Sequence, residues 1–425
     1  MELGRTGWET AVPRPSFVGM ASWTRMVRVS LAAVCAGALF VTAGTVAEAS
    51  PRRGELLDAV RVQALDAAAL RDRLGRTGFD AADARFGADA YRVRYRTVGV
   101  SGAPTVASGL VVLPRNGNRA LRAVSYTHGT RTGRTDVASL DASNMDRGAA
   151  LLIASRGYAA IAPDYLGLGL GEGPHPYMDA ASEASASLDM LDAARTVSAG
   201  QHRMLRHSVF VTGFSQGGHA AMALGKALQP GWGQWRLGAL APISGPLDVE
   251  QAEIPGALGR GELEPAAAAF YLAYWTVAMN RIHHIYGDPA EVFRPPFDRT
   301  VAALFDGTHS ENAIFPALPS TPQELFTTAY LHRLLHPTGA LGKALRDNDD
   351  TCSSWRPRAP VHLFAAHGDT QVTITNSRHC QRSLRRSGAE VPLTDLGPLE
   401  HFDTLHKGLP RVLDWYANGS SLGRE

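Results

Sequence analysis

Gly213-Phe214-Ser215-Gln216-Gly217-Gly218 is the stretch on which the reading of the whole chain turns. It spells G-x-S-x-G with one further glycine. It follows the apolar run Val209-Phe210-Val211-Thr212 and precedes Ala220-Ala221-Met222-Ala223-Leu224, which has helical composition. Strand, tight turn and helix around a serine form the setting in which this pattern marks a nucleophile. The turn strains the serine backbone, and small residues are needed on either side. A Cβ at Gly213 or Gly217 would meet the neighbouring strand or helix. The hydroxyl is pushed into open space, and the N–H groups of the helix start aim at whatever it attacks. In a chain with 43 glycines the same letters also arise by chance. The flanking strand and helix separate the two readings.

Outward from this turn, short apolar strands alternate with helices. Strands are expected at 123–126, 159–162, 209–212, 237–243, 361–366 and 391–396, and helices near 144–155, 181–199, 217–228, 376–386 and 410–417. Strands bare of charge and separated by helices imply a mostly parallel sheet covered on both faces. Upstream, Tyr91-Arg92-Val93-Arg94-Tyr95-Arg96 alternates with a period of two, and 105–113 pairs with it through a turn at Gly102 and Pro104. Further upstream, Leu56, Leu57, Val60, Leu65 and Leu70 recur at near-helical spacing and predict an amphipathic helix over 55–74. Between Gly245 and about Trp355 no strand pattern occurs. Helix-like pieces at 266–279 and 325–335 are separated by proline-rich turns, which predicts a helical cap over the carboxyl edge of the sheet. The expected divisions are 1–49 leader, 50–90 N-terminal helical segment, 91–245 first part of the core, 246–355 cap and 356–425 second part of the core.

Of the 425 residues, 45% are hydrophobic and 19% charged, enough for a sizeable core. The formal net charge is +2 with no dense Lys/Arg block, which argues against nucleic acid as the main partner. Arg25 and Arg28 precede an apolar run over 31–41, and Ala47-Glu48-Ala49 then offers a small-x-small cleavage site before Ser50. This is the pattern of a secretory signal peptide cleaved near Ala49; a retained membrane anchor is the rival reading. Cleavage leaves Cys352 and Cys380, which in an exported protein are expected to pair across the segment carrying Asp369; two buried thiols are the alternative.

A serine hydroxyl needs a base to take its proton and a carboxylate to hold that base. On this architecture the partners follow in the order serine, acid, histidine, each after a strand. After 361–366 the chain reads His367-Gly368-Asp369-Thr370-Gln371, where Asp369 is the one local carboxylate. After 391–396 come His401 and His406; His401 follows the loop directly and is the expected base, while His406 falls in or beside the closing helix. The oxyanion of an acyl-transfer intermediate needs two donors. The backbone N–H groups of Gln216 and of Thr130, in Tyr126-Thr127-His128-Gly129-Thr130, are the candidates, with His128 bracing that loop. Gly167-Leu168-Gly169-Leu170-Gly171 lacks nucleotide-binding spacing and reads as a flexible loop near the site entrance. Adjacent His283 and His284 could not share a metal from one helix face, and no metal or cofactor is expected. His219 reads as structural, and Asp189 and Arg195 as outer-face helix residues.

Four segments together carry a resemblance: Tyr126 to Thr130, Ala162-Pro163-Asp164-Tyr165-Leu166-Gly167-Leu168-Gly169, His175-Pro176-Tyr177, and Gly213 to His219. In order and spacing the chain resembles secreted bacterial α/β-hydrolases of the secretory lipase/esterase family. The resemblance implies an eight-stranded, mostly parallel sheet with a helical lid, and cofactor-free hydrolysis of carboxylic esters of small-molecule or lipid type. It assigns Ser215 as nucleophile, Asp369 as acid and His401 as base. Many members read His-Gly-x-x-Asp in the acid loop, which would put the carboxylate where this chain has Gln371. Aligning on Asn376-Ser377 instead puts Asp369 in register. The cap aromatics Phe270, Tyr271, Tyr274 and Trp275 either line an acyl pocket or pack the cap, and the cap could also meet a lipid surface. A serine peptidase, an acyltransferase or a silent binding protein are the other readings of such a chain.

Overall fold

The computed structural model describes residues 52–419. The leader read at 1–49 lies outside the described residues. The polypeptide begins with β1 (Leu56–Leu65), α1 (Ala67–Arg76), β2 (Ala88–Val98) and β3 (Pro104–Pro114). Alternation then sets in with β4 (Ala120–Thr127), α2 (Met145–Ser155), β5 (Ala159–Pro163), α3 (Ala180–Gly200), β6 (Met204–Phe214), α4 (Gln216–Leu228) and β7 (Arg236–Ile243). A helical insertion follows: α5 (Pro265–His283), α6 (Val301–Leu304), α7 (Glu311–Ile314), α8 (Pro322–Leu325), α9 (Thr328–Leu335) and α10 (Gly339–Asp349). The chain closes with β8 (Leu363–Ala365), α11 (Thr375–Arg386), β9 (Leu393–Asp395) and α12 (His401–Asn418).

The strands form one nine-stranded sheet in the order β1-β2-β3-β5-β4-β6-β7-β8-β9. β1, β2 and β3 join antiparallel, and β3 meets β5 antiparallel; every pairing from β5 to β9 is parallel. Apolar side chains cover both faces. One face packs under α3, α4 and α11 through residues such as Val211, Leu191, Leu224 and Leu384, the other under α1, α2 and α12 through Val124, Leu74, Leu151 and Leu409. Strands buried on both sides explain their lack of charge. The insertion has its own core, in which Phe270, Phe293, Phe326 and Tyr330 are buried.

Several expectations are corrected. The predicted helix over 55–74 is β1 followed by the shorter α1, which also raises the expected eight strands to nine. Helical spacing there is a coincidence of two elements. Val60 and Val62 suit a strand that pairs with β2, and the helix starts only where the Asp66 carboxylate accepts the N–H of Ala69 at 2.8 Å. Asp189 is not on an outer face: its carboxylate is buried, accepting from Thr97 Oγ1 at 2.7 Å and pairing with Arg53 Nε at 3.0 Å. α3 lies against β2, so its strand-facing side has no water to offer, and burial raises the Asp189 pKa. The glycine-rich stretch 167–171 is packed in place, with Leu168 fully buried and the Gly169 N–H bonded to the Arg134 carbonyl at 2.9 Å. The last helix also starts earlier than read, at His401, and carries Pro410 in its interior.

Candidate active site

Ser215 sits between β6 and α4 with φ 58° and ψ −125°, a conformation that costs energy for any residue but glycine. The local sequence makes the turn possible. A Cβ on Gly213 would strike the Thr127 hydroxyl and the Gly217 carbonyl; one on Gly217 would strike the Thr127 carbonyl of β4. The Ser215 N–H is tied to the Ile243 carbonyl of β7 at 3.0 Å, so the strained residue is held from the neighbouring strand.

The structure brings Ser215, Asp369 and His401 together. His401 opens α12, and its Nε2 lies 2.8 Å from Ser215 Oγ. Its Nδ1 lies 2.8 Å from Asp369 Oδ2. A carboxylate only accepts, so Nδ1 carries the hydrogen and Nε2 presents its lone pair to the serine hydroxyl. The other Asp369 oxygen accepts the N–H groups of Gln371 and Val372, each at 2.9 Å, which fixes the carboxylate plane. Ser215, Asp369 and His401 are 4%, 5% and 1% exposed, so these contacts lie in a dry, low-dielectric setting where each is strengthened. Phe214 packs on the imidazole with centroids 4.6 Å apart. The alternative base lies elsewhere: His406 bonds the Thr77 carbonyl at 3.2 Å and packs on Phe79, while Gln371 lines the cavity and accepts the Tyr271 hydroxyl at 2.7 Å.

The loop 128–130 passes over Ser215. A Cβ at Gly129 would stand 3.5 Å from Ser215 Cβ, so the backbone of this loop borders the space above the serine. Thr130 is buried, its hydroxyl 3.0 Å from that of Tyr177. Gln216 is the first residue of α4, where backbone N–H groups have no intrahelical acceptor. His128 spans the carbonyls of Gly129 (2.7 Å) and Asp164 (3.2 Å), bracing the loop as expected. Behind it, the buried Arg131 guanidinium pairs with Asp146, which also accepts the Tyr126 hydroxyl at 2.7 Å.

The helical insertion is bonded directly to the loops of the site. Tyr274 donates to the Arg131 carbonyl at 3.1 Å, Thr132 to the His309 carbonyl at 2.9 Å, and the Arg134 N–H to the Gly307 carbonyl at 2.8 Å. On the acid side the Glu264 N–H reaches the Thr370 carbonyl at 2.8 Å. Between insertion and sheet lies a cavity containing Ser215 and walled largely by apolar side chains, among them Val249, Leu263, Leu272 and Trp275. Of the four aromatics singled out from sequence, Tyr271 and Trp275 line this cavity, Phe270 packs within the insertion, and Tyr274 stacks between Phe305 of the insertion and Tyr177 of the loop before α3.

Sequence reasoning missed two carboxylates here. Glu253 lines the cavity, and burial, with the Asp369 charge adding to it, pushes its pKa up to about 8. It sits in a π-helical turn, Val249–Glu253, with no motif to announce it. Glu183 lies under α4 and bonds Gln216 and His219. The one available signal was a glutamate among the small residues that open α3. Cys352 and Cys380 are joined by a disulfide that links the end of the insertion to α11. Among the described residues no helix is long and apolar enough to cross a membrane.

A serine at a strained strand-to-helix turn in a mostly parallel sheet, with aspartate and histidine after later strands, defines an α/β-hydrolase, and this chain has that fold. Within that class it is similar to bacterial lipases and esterases. The rice cell wall degrading esterase LipA from Xanthomonas oryzae is 27% identical at TM-score 0.78, covering 87% of this chain and 100% of that one. A Legionella pneumophila protein assigned as a hydrolase is 26% identical at TM-score 0.78, covering 85% and 97%. Candida antarctica lipase A in its closed state, 14% identical at TM-score 0.61 over 83% and 78%, shares the fold. No family model and no curated protein matches the chain. The structural relatives support a hydrolase acting on esters.

Proposed function

We propose that the chain is an exported serine esterase that works through an acyl-enzyme. His401 Nε2 takes the Ser215 proton as Oγ adds to the ester carbonyl carbon, and Asp369 stabilises the imidazolium that forms. The N–H groups of Gln216 and Thr130 hold the resulting oxyanion. His401 then gives its proton to the departing alkoxide, and the carbonyl re-forms as the acyl-serine. Water, deprotonated by the same imidazole, adds to the acyl carbon, and Ser215 leaves with the returned proton. The carboxylic acid is released and the enzyme restored. The cavity beside Ser215 would take the organic chain of a small-molecule or lipid ester.

The observation that carries this reading is the pair of 2.8 Å contacts running Asp369–His401–Ser215 in a dry site that opens onto the cavity. Export is supported by the leader pattern ending at Ala49 and by the disulfide, which persists in oxidising compartments. The test is hydrolysis of p-nitrophenyl esters of graded acyl length by the chain from Ser50 onward. We expect turnover that Ser215→Ala lowers by about 10⁴-fold or more. Turnover untouched by that substitution would refute the reading.

A further inference from the structure

A buried hydrogen-bonded chain lies behind the nucleophile turn, outside the reacting groups. Glu183 on α3 is 1% exposed, and Gln216 and His219 at the start of α4 are fully buried. His219 Nδ1 is 2.9 Å from Glu183 Oε2, and its Nε2 is 2.9 Å from the Asn348 carbonyl oxygen. Both partners accept, so both ring nitrogens carry hydrogen and the ring is an imidazolium. Burial alone would strip that proton, but the Glu183 carboxylate, with the Asn348 carbonyl and the Asp349 carboxyl, outweighs it, and the His219 pKa ends up raised. Asp349 at the end of α10 is the other carboxyl near the ring, itself pushed up to about 7 by burial.

The second Glu183 oxygen accepts from Gln216 Nε2 at 2.8 Å. The remaining hydrogen of that amide points to His175 Nε2 at 3.0 Å. His175 Nδ1 donates to the Leu166 carbonyl at 2.8 Å, which leaves Nε2 as a lone-pair acceptor. Burial holds His175 neutral, its pKa pushed down to about 3. Both amide hydrogens of Gln216 are therefore committed to rigid partners on α3 and on the loop before it.

We infer that Glu183 and His219 are positioning residues: their buried carboxylate–imidazolium pair anchors the Gln216 side chain and so fixes the Gln216 backbone N–H where the oxyanion develops. This rests on the assignment of Ser215 and Gln216 proposed above. A donor that is displaced rather than deleted weakens transition-state binding and leaves ground-state binding nearly alone.

The experiment compares variants of the full chain on one soluble p-nitrophenyl ester, with thermal unfolding recorded for each. Glu183→Ala is expected to lower kcat about 10- to 100-fold with KM within about threefold, below the loss from deleting an oxyanion donor. Glu183→Gln should recover most of that loss, because its amide oxygen still accepts from Gln216 while its NH₂ donates to a neutral His219. Gln216→Leu keeps the backbone N–H and loses the anchor, so it should fall as far as Glu183→Ala, and the double variant no further. Nitrogen NMR of the His219 ring should find both nitrogens protonated in the parent and only Nε2 in Glu183→Gln. If folded Gln216→Leu keeps the parent kcat, or if KM rises in step as kcat falls, the inference is overturned. Ser215→Ala separates this from the underlying proposal. Activity that survives Ser215→Ala sinks both. Activity that Ser215→Ala abolishes but Gln216→Leu spares sinks only the positioning role.

Discussion

Asp369→Asn isolates the proposed proton relay with little disturbance of the fold. The carboxylate uses one oxygen for the N–H groups of Gln371 and Val372 and the other for His401 Nδ1. An asparagine would keep its amide oxygen on the two loop donors, since turning it the other way would set NH₂ against two N–H groups. That choice leaves the NH₂ facing His401 Nδ1, which must then accept. The imidazole is forced into the tautomer with hydrogen on Nε2, and the 2.8 Å contact to Ser215 Oγ can no longer receive a proton. Triads elsewhere lose about 10⁴ in kcat by this route. That corresponds to about 5.4 kcal/mol of transition-state stabilisation. The assay is kcat on a p-nitrophenyl ester beside a thermal melt of the same preparation. We expect the melting temperature to move by only a few degrees while kcat falls by about three to four decades. A folded Asp369→Asn within tenfold of the parent would refute the tautomer argument and remove Asp369 from the relay.

Other expectations follow from the same contacts. Gly217→Ala places a methyl on the Thr127 carbonyl, a backbone atom that cannot rotate away, and should destabilise by about 3 kcal/mol by chemical denaturation. Unchanged stability would mean the turn relaxes freely. Removing the Cys352–Cys380 bridge, which spans 28 positions, should cost roughly 3–4 kcal/mol through the unfolded chain, read as a lower guanidinium midpoint in Cys352→Ala/Cys380→Ala. Equal midpoints would show that the bridge constrains little. Glu253 has a folded pKa near 8, above its unfolded value, so the folded state holds the extra proton. Stability is therefore lost as pH rises from the unfolded value through about 8. Glu253→Gln should raise the melting temperature more at pH 8 than at pH 5, and a larger gain at pH 5 would contradict the assigned direction.

The serine turn was legible because its glycines are steric necessities with a fixed spacing, and the acid and base loops because each follows an apolar strand in a set order. Asp369 was the choice from sequence as the one carboxylate after its strand, and aligning on Asn376-Ser377 brought it into register with the family acid; in space, Asn376 bonds the Thr373 carbonyl at 3.0 Å. What sequence could not give was pairing across distance. β1 has helical spacing, and only its partner β2 makes it a strand. Asp189 reads as a surface residue until Thr97 and Arg53, 92 and 136 positions away, come to meet it. Glu253 was invisible for the same reason, and Glu183 nearly so, since a buried carboxyl is recognised by what surrounds it.

The bonds between the helical insertion and the loops at 131–134 and 370 bear on how such a protein can diversify. Exchanging the whole insertion for that of a relative would replace the insertion-side hydrogen-bond partners of Arg131, Thr132, Arg134 and Thr370 in one stroke, so the graft would trade turnover along with selectivity. Val249, Leu263 and Leu272 line the cavity with apolar side chains and bond none of those loops through them. Modularity here resides in single wall residues, and directed evolution of substrate preference has most freedom at those three positions.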